Sequence, residues 1–430
     1  MCRAAAIATF GKDPWAHASN SGSQRDAAAP GTLTPGSIIS SDAIAPANTP
    51  GSILSFISDS TPSFEKIAQK RHRLEQGIPY RVAECPSPIF DQVLPVDTHV
   101  TAVVTYSNGS CAWLGMNDDQ TTVTILNLAN HKRRIFTTDN REHLRTLHFS
   151  KPYIAAVSIR GYCHVWNIDT SQSSSFRIPS LDYSLLLISG TKVVVQYNDY
   201  VVHWCFNTRV ARTIQTGESV VSLAPHPSDD EITVARMCPK PGEGNQDTVY
   251  FENCDLHIAK YALDSKNEWS LLSSRHQPLP VSVFGGGWIV HAGISDRWGI
   301  NRPGQSSVTM IYWRKDNKLN QFDRRLFCLS LEPDGLVAFH TLPQDCTAGI
   351  ELVCPERGIL YASFFPQDPQ RFAILKPRTR IGPSNSYVWY DYYVHRTHLV
   401  DDNPWIIGDA QFMVFFNRVL MTVWTLEEGT

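Results

Sequence analysis

From residue 80 onward the chain is written in short runs of β-branched and aromatic residues that recur in sets of four. Runs of this length, bounded by turn residues, read as strands. The first set is "HVTAVVTYS", "CAWLGM", "TTVTILNL" and "RRIFTT", with Asn108-Gly109 as a strong hairpin dipeptide between its first two runs. The second set is "LRTLHFS", "YIAAVSI", "CHVWNI" and "SSFRI", turning at Arg160-Gly161. "SLLLIS", "KVVVQY", "VVHWCF" and "ARTIQT" make the third.

Four antiparallel strands recurring every roughly 35–45 residues is the period of a β-propeller blade. Inner strands covered on both faces read as continuous apolar runs, as "KVVVQY" does, and an exposed outer strand is more polar, as in "ARTIQT". Later sets are less regular. "VVSLAPHP", "EITVARM", "DLHIAKYAL" and "EWSLLSS" form a fourth, and "VSVF", "WIVHAGI", "TMIYWRK" and "FCLSLEPDGLVAFHTL" a fifth. "ILYASFF", "RFAILK" and "YVWYDYYV" leave the sixth incomplete, and "WIIG", "QFMVFF" and "LMTVWTL" end the chain without an outer strand. The expected fold is all-β, a propeller of about seven four-stranded blades, six being possible, over residues 79–430. An open ring would leave exposed strand edges. "YRVAECPSPIF", residues 80–90, belongs to no set and is expected to pair with the strand around 420–426 and close the ring.

Residues 1–62 are dense in Ala, Ser, Thr, Gly and Pro and hold no sustained apolar period, so they are read as disordered. Residues 63–78 are read as a linker helix, with Phe64, Ile67, Ala68 and Leu74 near helical spacing and Gly77 as a left-handed terminator. Lys70-Arg71-His72-Arg73 reads as a solvated helix face, with a nuclear signal as the alternative.

Composition narrows the partners. Charged residues are 18% of the chain and the net charge is −3, a balance that points to neither nucleic acid nor an anionic membrane surface. Ten cysteines are scattered without a C-x-x-C pair, as expected of reduced thiols in a cytoplasmic or nuclear protein. No run approaches the ~18 apolar residues of a membrane span.

The ends of three sets, "GYCHVWNID", "DYVVHWCFN" and "RVLMTVWTLE", resemble WD-repeat sequences, with Trp166, Trp204 and Trp424 where that family has its tryptophan. They are followed by Asn, Cys and Thr, so the Trp-Asp dipeptide is absent, and no Gly-His opens a repeat. The resemblance implies a divergent propeller with these three residues as structural blade tryptophans. A narrower resemblance, carried by "KRHRLEQGIPYRV" and "DAQFMVFFNRVLMTVWTLE", is to fungal F-box proteins, which place an F-box, a linker helix and a divergent propeller in that order. Residues 1–62 carry Pro and Ser where an F-box would need an apolar three-helix pattern opening on Leu-Pro. Binding of a Skp-type adaptor is implied only if an F-box exists.

No stretch assembles a catalytic, cofactor or metal site. His395 and His398 precede Asp401 and Asp402, residue types that ligate metals, but H-x-x-H on an extended strand turns its rings to opposite faces. The stretch is read as a polar inter-blade loop. Gly285-Gly286-Gly287 lead into a strand rather than a phosphate-binding helix and read as a tight turn, and Gly242 and Gly244 sit in an exposed insert. Asp229-Asp230-Glu231 read as a solvated turn, and "HKRR", 131–134, as a hairpin turn. Cys354 in "CPERG" lacks the arginine of a phosphatase loop. The expected role is a non-enzymatic module that binds a protein partner. A ubiquitin-ligase substrate receptor and a propeller-fold enzyme are the alternatives, the enzyme requiring acids or histidines clustered around one cavity.

Overall fold

A computed structural model describes residues 64–86, 104–115, 120–197, 199–217, 220–239, 254–264, 268–279, 288–294, 307–315, 322–331, 334–342, 350–356, 359–364, 371–381, 387–399, 405–416 and 420–428. The segment expected to be disordered, the run "VSVF", both glycine clusters and Asp401-Asp402 lie outside them. The chain divides into Met1–Arg73 and Leu74–Thr430. Helix α1 (Phe64–Gln76) carries the basic run and spans that division. It stops at Gly77, whose φ of 64° and N–H bond to the Leu74 carbonyl form a left-handed terminus. Within the second unit, Leu74 is buried, and the Tyr361 hydroxyl donates to its carbonyl at 2.7 Å.

The second unit is built from small antiparallel sheets. β2 (Val104–Ser107), β3 (Ser110–Gly115), β4 (Thr122–Asn127) and β5 (Arg133–Thr137) form one. β6 (Leu144–Ser150), β7 (Tyr153–Ser158), β8 (Tyr162–Asn167) and β9 (Ser173–Arg177) form the next. β10 (Leu185–Ser189), β11 (Lys192–Gln196), β12 (Tyr200–Cys205) and β13 (Val210–Gln215) follow. β14 (Val220–Pro225), β15 (Glu231–Pro239), β16 (Cys254–Leu263) and β17 (Trp269–Pro278) complete the fourth.

The fifth sheet has eight strands. Its halves are β18 (Trp288–Ile294), β19 (Ser307–Lys315), β20 (Phe322–Leu331) and β21 (Val337–Thr341), and β22 (Ile350–Glu356), β23 (Ile359–Phe364), β24 (Arg371–Ile381) and β25 (Tyr387–Leu399). Each half is antiparallel, and β21 pairs parallel with β25. The sixth sheet is β26 (Trp405–Gly408), β27 (Phe412–Phe416), β28 (Leu420–Thr425) and β1 (Arg81–Pro86). β1 lies on β28 with Arg81 opposite Thr425 and Pro86 opposite Leu420, so the early segment supplies the outer strand that the last set lacks.

Two strands differ from the expected sets. "WIVHAGI", expected as a second strand, is β18, the first of its half-sheet. β22 was not among the expected runs, which left the sixth set incomplete, and it pairs with β23 across a register shift between Val353 and Glu356.

The turns repeat their chemistry. Asn108 and Gly109, with φ of 41° and 71°, supply the positive pair that a two-residue hairpin between β2 and β3 needs. Between third and fourth strands, Asn127 Oδ1 accepts the N–H of Ala129 and Asn130, and Asn167 Oδ1 those of Asp169 and Thr170. Cys205 holds the same place, its sulfur accepting from the backbone of Asn207 and Thr208. The asparagine after Trp166 is therefore a turn acceptor in its own right.

Apolar side chains run around the unit in a cycle. One cluster joins the sixth sheet to the first and second through Phe416, Leu114 and Trp166. Others join second to third through Val165 and Trp204, third to fourth through Val194 and Val234, and fourth to the β18–β21 half through Leu256 and Phe339. The last joins the β22–β25 half to the sixth sheet through Phe372 and Phe415. With β21 on β25, the circuit closes, and the unit is an all-β propeller.

Candidate functional site

The three tryptophans sit on the third strands of their sheets and face a neighbour. Trp166 on β8 is buried, with its ring 6.2 Å from Phe136 on the outer strand of the preceding sheet. Trp204 on β12 stacks on Phe176 of the preceding outer strand, 4.7 Å apart at 17°. Trp424 on β28 packs on Phe415 at 4.6 Å and edge-on to Phe372 at 5.6 Å. The phenylalanine partners were not singled out in the sequence, although "RRIFT" and "SSFRI" repeat the residue on two fourth strands.

The other candidates disperse. His395 and His398 lie on β25 rather than in a loop, because the long β24 run pairs with it to Arg371–Leu399. His398 stacks on Phe372 at 5.0 Å. Among the described residues no three His, Cys, Asp or Glu side chains group as metal ligands. Arg133 and Arg134 of the basic run belong to β5. Arg133 lies 5.8 Å from the Trp113 ring centroid, and Arg134 donates to the Ile168 carbonyl of the next sheet. Asp230 meets the Lys192 ammonium at 3.2 Å, and Glu231 meets Lys260 at 2.5 Å.

A small polar network that the sequence did not announce stands at the second sheet. The Glu142 carboxylate bonds to His164 Nε2 at 3.2 Å and to the Ser158 side chain, and Thr138 Oγ1 accepts the Glu142 N–H at 2.7 Å. Burial pushes the Glu142 carboxyl up, but the Ser158 and His164 hydrogen bonds and the charges of His164 and Arg160 outweigh it and hold the pKa below its ordinary value. The ionised form is thus favoured by folding. Glu142→Gln is expected to lose about 1–3 kcal/mol near neutral pH. That difference should shrink as pH falls below the ordinary carboxyl range, through the depressed folded pKa, when wild type is protonated too. Urea titrations of both proteins across pH check it.

The most concentrated polar chemistry lies between the third and fourth sheets. His203 on β12 is fully buried, and neither ring nitrogen has a hydrogen-bond partner among the described residues. Burial first, then the positive charge of Lys192, lowers its pKa to about 4, with Asp230 opposing and Arg212 adding. The imidazole is neutral at physiological pH. Lys192 is itself buried and donates to the carbonyls of His226 and Asp229 while pairing with Asp230. Trp269 meets the His203 ring edge-on at 4.9 Å. Trp269 also walls a cavity of about 480 Å³, lined besides by Arg212, Thr213, Ile214, Gln215, Tyr261 and Glu268. A cavity of this size with aromatic and polar walls is the size of a ligand site. His203 does not line the cavity.

No family model matches the chain, and no curated protein matches it. Several solved structures are similar. A chain of a mitotic checkpoint complex crystal structure shares 12% identity over 81% of this chain and 92% of that one, with a TM-score of 0.42. The β-propeller domain of the Trilobed protease from Pyrococcus furiosus shares 12% over 76% and 96%, with a TM-score of 0.43. Kuenenia stuttgartiensis hydrazine synthase shares 12% over 78% and 98%, at 0.44. These likenesses transfer no role to the chain.

Proposed function

We propose that the protein is a non-enzymatic protein-interaction scaffold. The observation that carries this reading is apolar surface on an outer strand. On β17, Leu271 and Leu272 are 55% and 58% exposed, beside the Trp269–Tyr261 groove. Outer-strand side chains that face water are ordinarily polar, and apolar ones set beside a groove are the mark of a surface that a partner covers. The most perturbed histidine among the described residues, His203, is buried and does not line the groove, which supports a role without catalysis.

We count seven blades, taking the eight-stranded sheet as two whose outer strands β21 and β25 pair. Trp166, Trp204 and Trp424 on third strands support kinship with WD-repeat propellers. The six free cysteines among the described residues support a cytoplasmic or nuclear setting. Affinity capture of the full chain followed by chemical cross-linking tests the reading. A stoichiometric protein cross-linked to propeller residues is expected. Turnover of a small substrate without any retained protein would overturn it, and a Skp-type adaptor in the complex would move the assignment to a ubiquitin-ligase receptor.

A further inference from the structure

The groove at Trp269 has a geometry that names its occupant, granted the scaffold reading on which this inference rests. Arg212, Thr213, Ile214 and Gln215, four consecutive residues of β13, line it. Successive side chains of a strand point to opposite faces. We read a cavity that touches four in a row as one that runs along the strand's edge. β13 is the outer strand of its sheet, so that edge is the one away from β12.

The phase of the ladder shows which backbone groups meet the groove. Thr216 donates its N–H to the Asp199 carbonyl at 3.0 Å, and the register continues with Ile214 opposite Val201 and Arg212 opposite His203. Hydrogen-bonded pairs alternate along an antiparallel ladder. Arg212 and Ile214 thus turn their backbone groups toward β12, while Ala211, Thr213 and Gln215 turn theirs outward. The facing wall is Tyr261 of β16 with Glu268 and Trp269 at the start of β17. Tyr261 pairs with Leu271 and Leu263 with Trp269, which places Tyr261, Trp269 and Leu271 on one face. The Trp269 indole N–H has no hydrogen-bond partner among the described residues. The Glu268 carboxylate makes no ion pair among them, whereas Arg212 already has a partner within the chain.

We propose that this groove takes an extended segment of a partner protein as a fifth strand on β13. Outward N–H and C=O groups at Ala211, Thr213 and Gln215 would bond the segment's backbone, the usual source of affinity in strand addition. An apolar side chain would lie on Trp269, Tyr261 and Leu271, and charge complementarity at Glu268 selects a lysine or arginine.

Selection from a displayed random peptide library against the full chain tests this. The recovered peptides are expected to carry an apolar residue and a basic one at fixed spacing. Thr213→Pro removes an outward N–H that the β12 ladder does not use, a position where proline is tolerated. It should weaken such peptides by about tenfold or more. Glu268→Lys should exchange the basic preference for an acidic one. Should Thr213→Pro fail to fold, amide exchange of wild type with a recovered peptide decides. Slowing at Ala211, Thr213 and Gln215 with Arg212 and Ile214 unchanged is the expected result. Peptides that bind Thr213→Pro equally, or that leave those three amides unprotected, overturn the groove assignment and leave the scaffold reading standing. Failure of the full chain to retain any protein partner overturns both.

Discussion

Trp204→Ala is expected to destabilise the propeller by about 3–5 kcal/mol, the range for emptying a buried large aromatic site. The indole is 1% exposed and wedged between sheets. It stacks on Phe176 of the preceding outer strand and stands edge-on to Phe206 at 6.0 Å and 89°. Val165, Val193 and Val202 belong to the same core cluster. Removal leaves a cavity between two sheets whose backbones are held by their own ladders, so collapse is limited. Denaturant unfolding gives the number. Val210→Ala, at a half-exposed position on the next strand, is the control and should change stability by less than about 0.5 kcal/mol. A Trp204→Ala loss no larger than the control's would mean that the indole does not join the sheets.

Acid should weaken the fold through His203 by a comparable amount. The folded pKa is about 4 and the unfolded value is the ordinary 6.5. Above 6.5 both states are neutral and the stability is whole. Between 6.5 and 4 the unfolded chain takes a proton that the folded chain refuses, so stability falls with pH and levels off below 4. At about 1.4 kcal/mol per pH unit the contribution is about 3 kcal/mol. The groups facing the ring explain the refusal: Lys192 and Arg212 repel a proton more than Asp230 attracts it, and burial acts first. His203→Leu removes the titrating group along with two buried nitrogens that lack hydrogen-bond partners among the described residues. The variant's stability should change less than wild type's between pH 7 and pH 4, the difference growing to that size. Parallel pH profiles would contradict the assignment.

Strand pattern made most of this architecture readable. "KVVVQY" and "YIAAVSI" are inner strands because both of their faces are covered, and continuous apolar runs follow directly from that burial. The absence of a last outer strand, set beside the spare segment at 80–90, pointed to the β1–β28 pairing for the same reason: an edge needs a cover. What failed was local. β22 went unread, and the histidines of β25 hid a strand end where pairing across the sheet overrode residue preference. The groove was illegible for a different reason. Its walls come from "ARTIQT", from "DLHIAKYAL" and from the start of "EWSLLSS", separated in sequence and each ordinary by itself. Lys192 likewise read only as the first residue of the strand "KVVVQY", and its burial against Asp230 is visible only once the fourth sheet stands beside the third.

A closed propeller needs its last sheet complete, and that rests on β1 lying against β28. Cys85 stands directly opposite Met421 there, with its Sγ 3.7 Å from the Met421 carbonyl oxygen. Opposed residues of an antiparallel pair have Cα atoms about 4.5–5.5 Å apart, within reach of a disulfide. The decisive measurement is peptide mapping of the Met421→Cys variant after mild oxidation of the folded monomer. A disulfide linking residue 85 to position 421 is the result that ring closure predicts. A folded, oxidised monomer in which residue 85 remains alkylatable would contradict it.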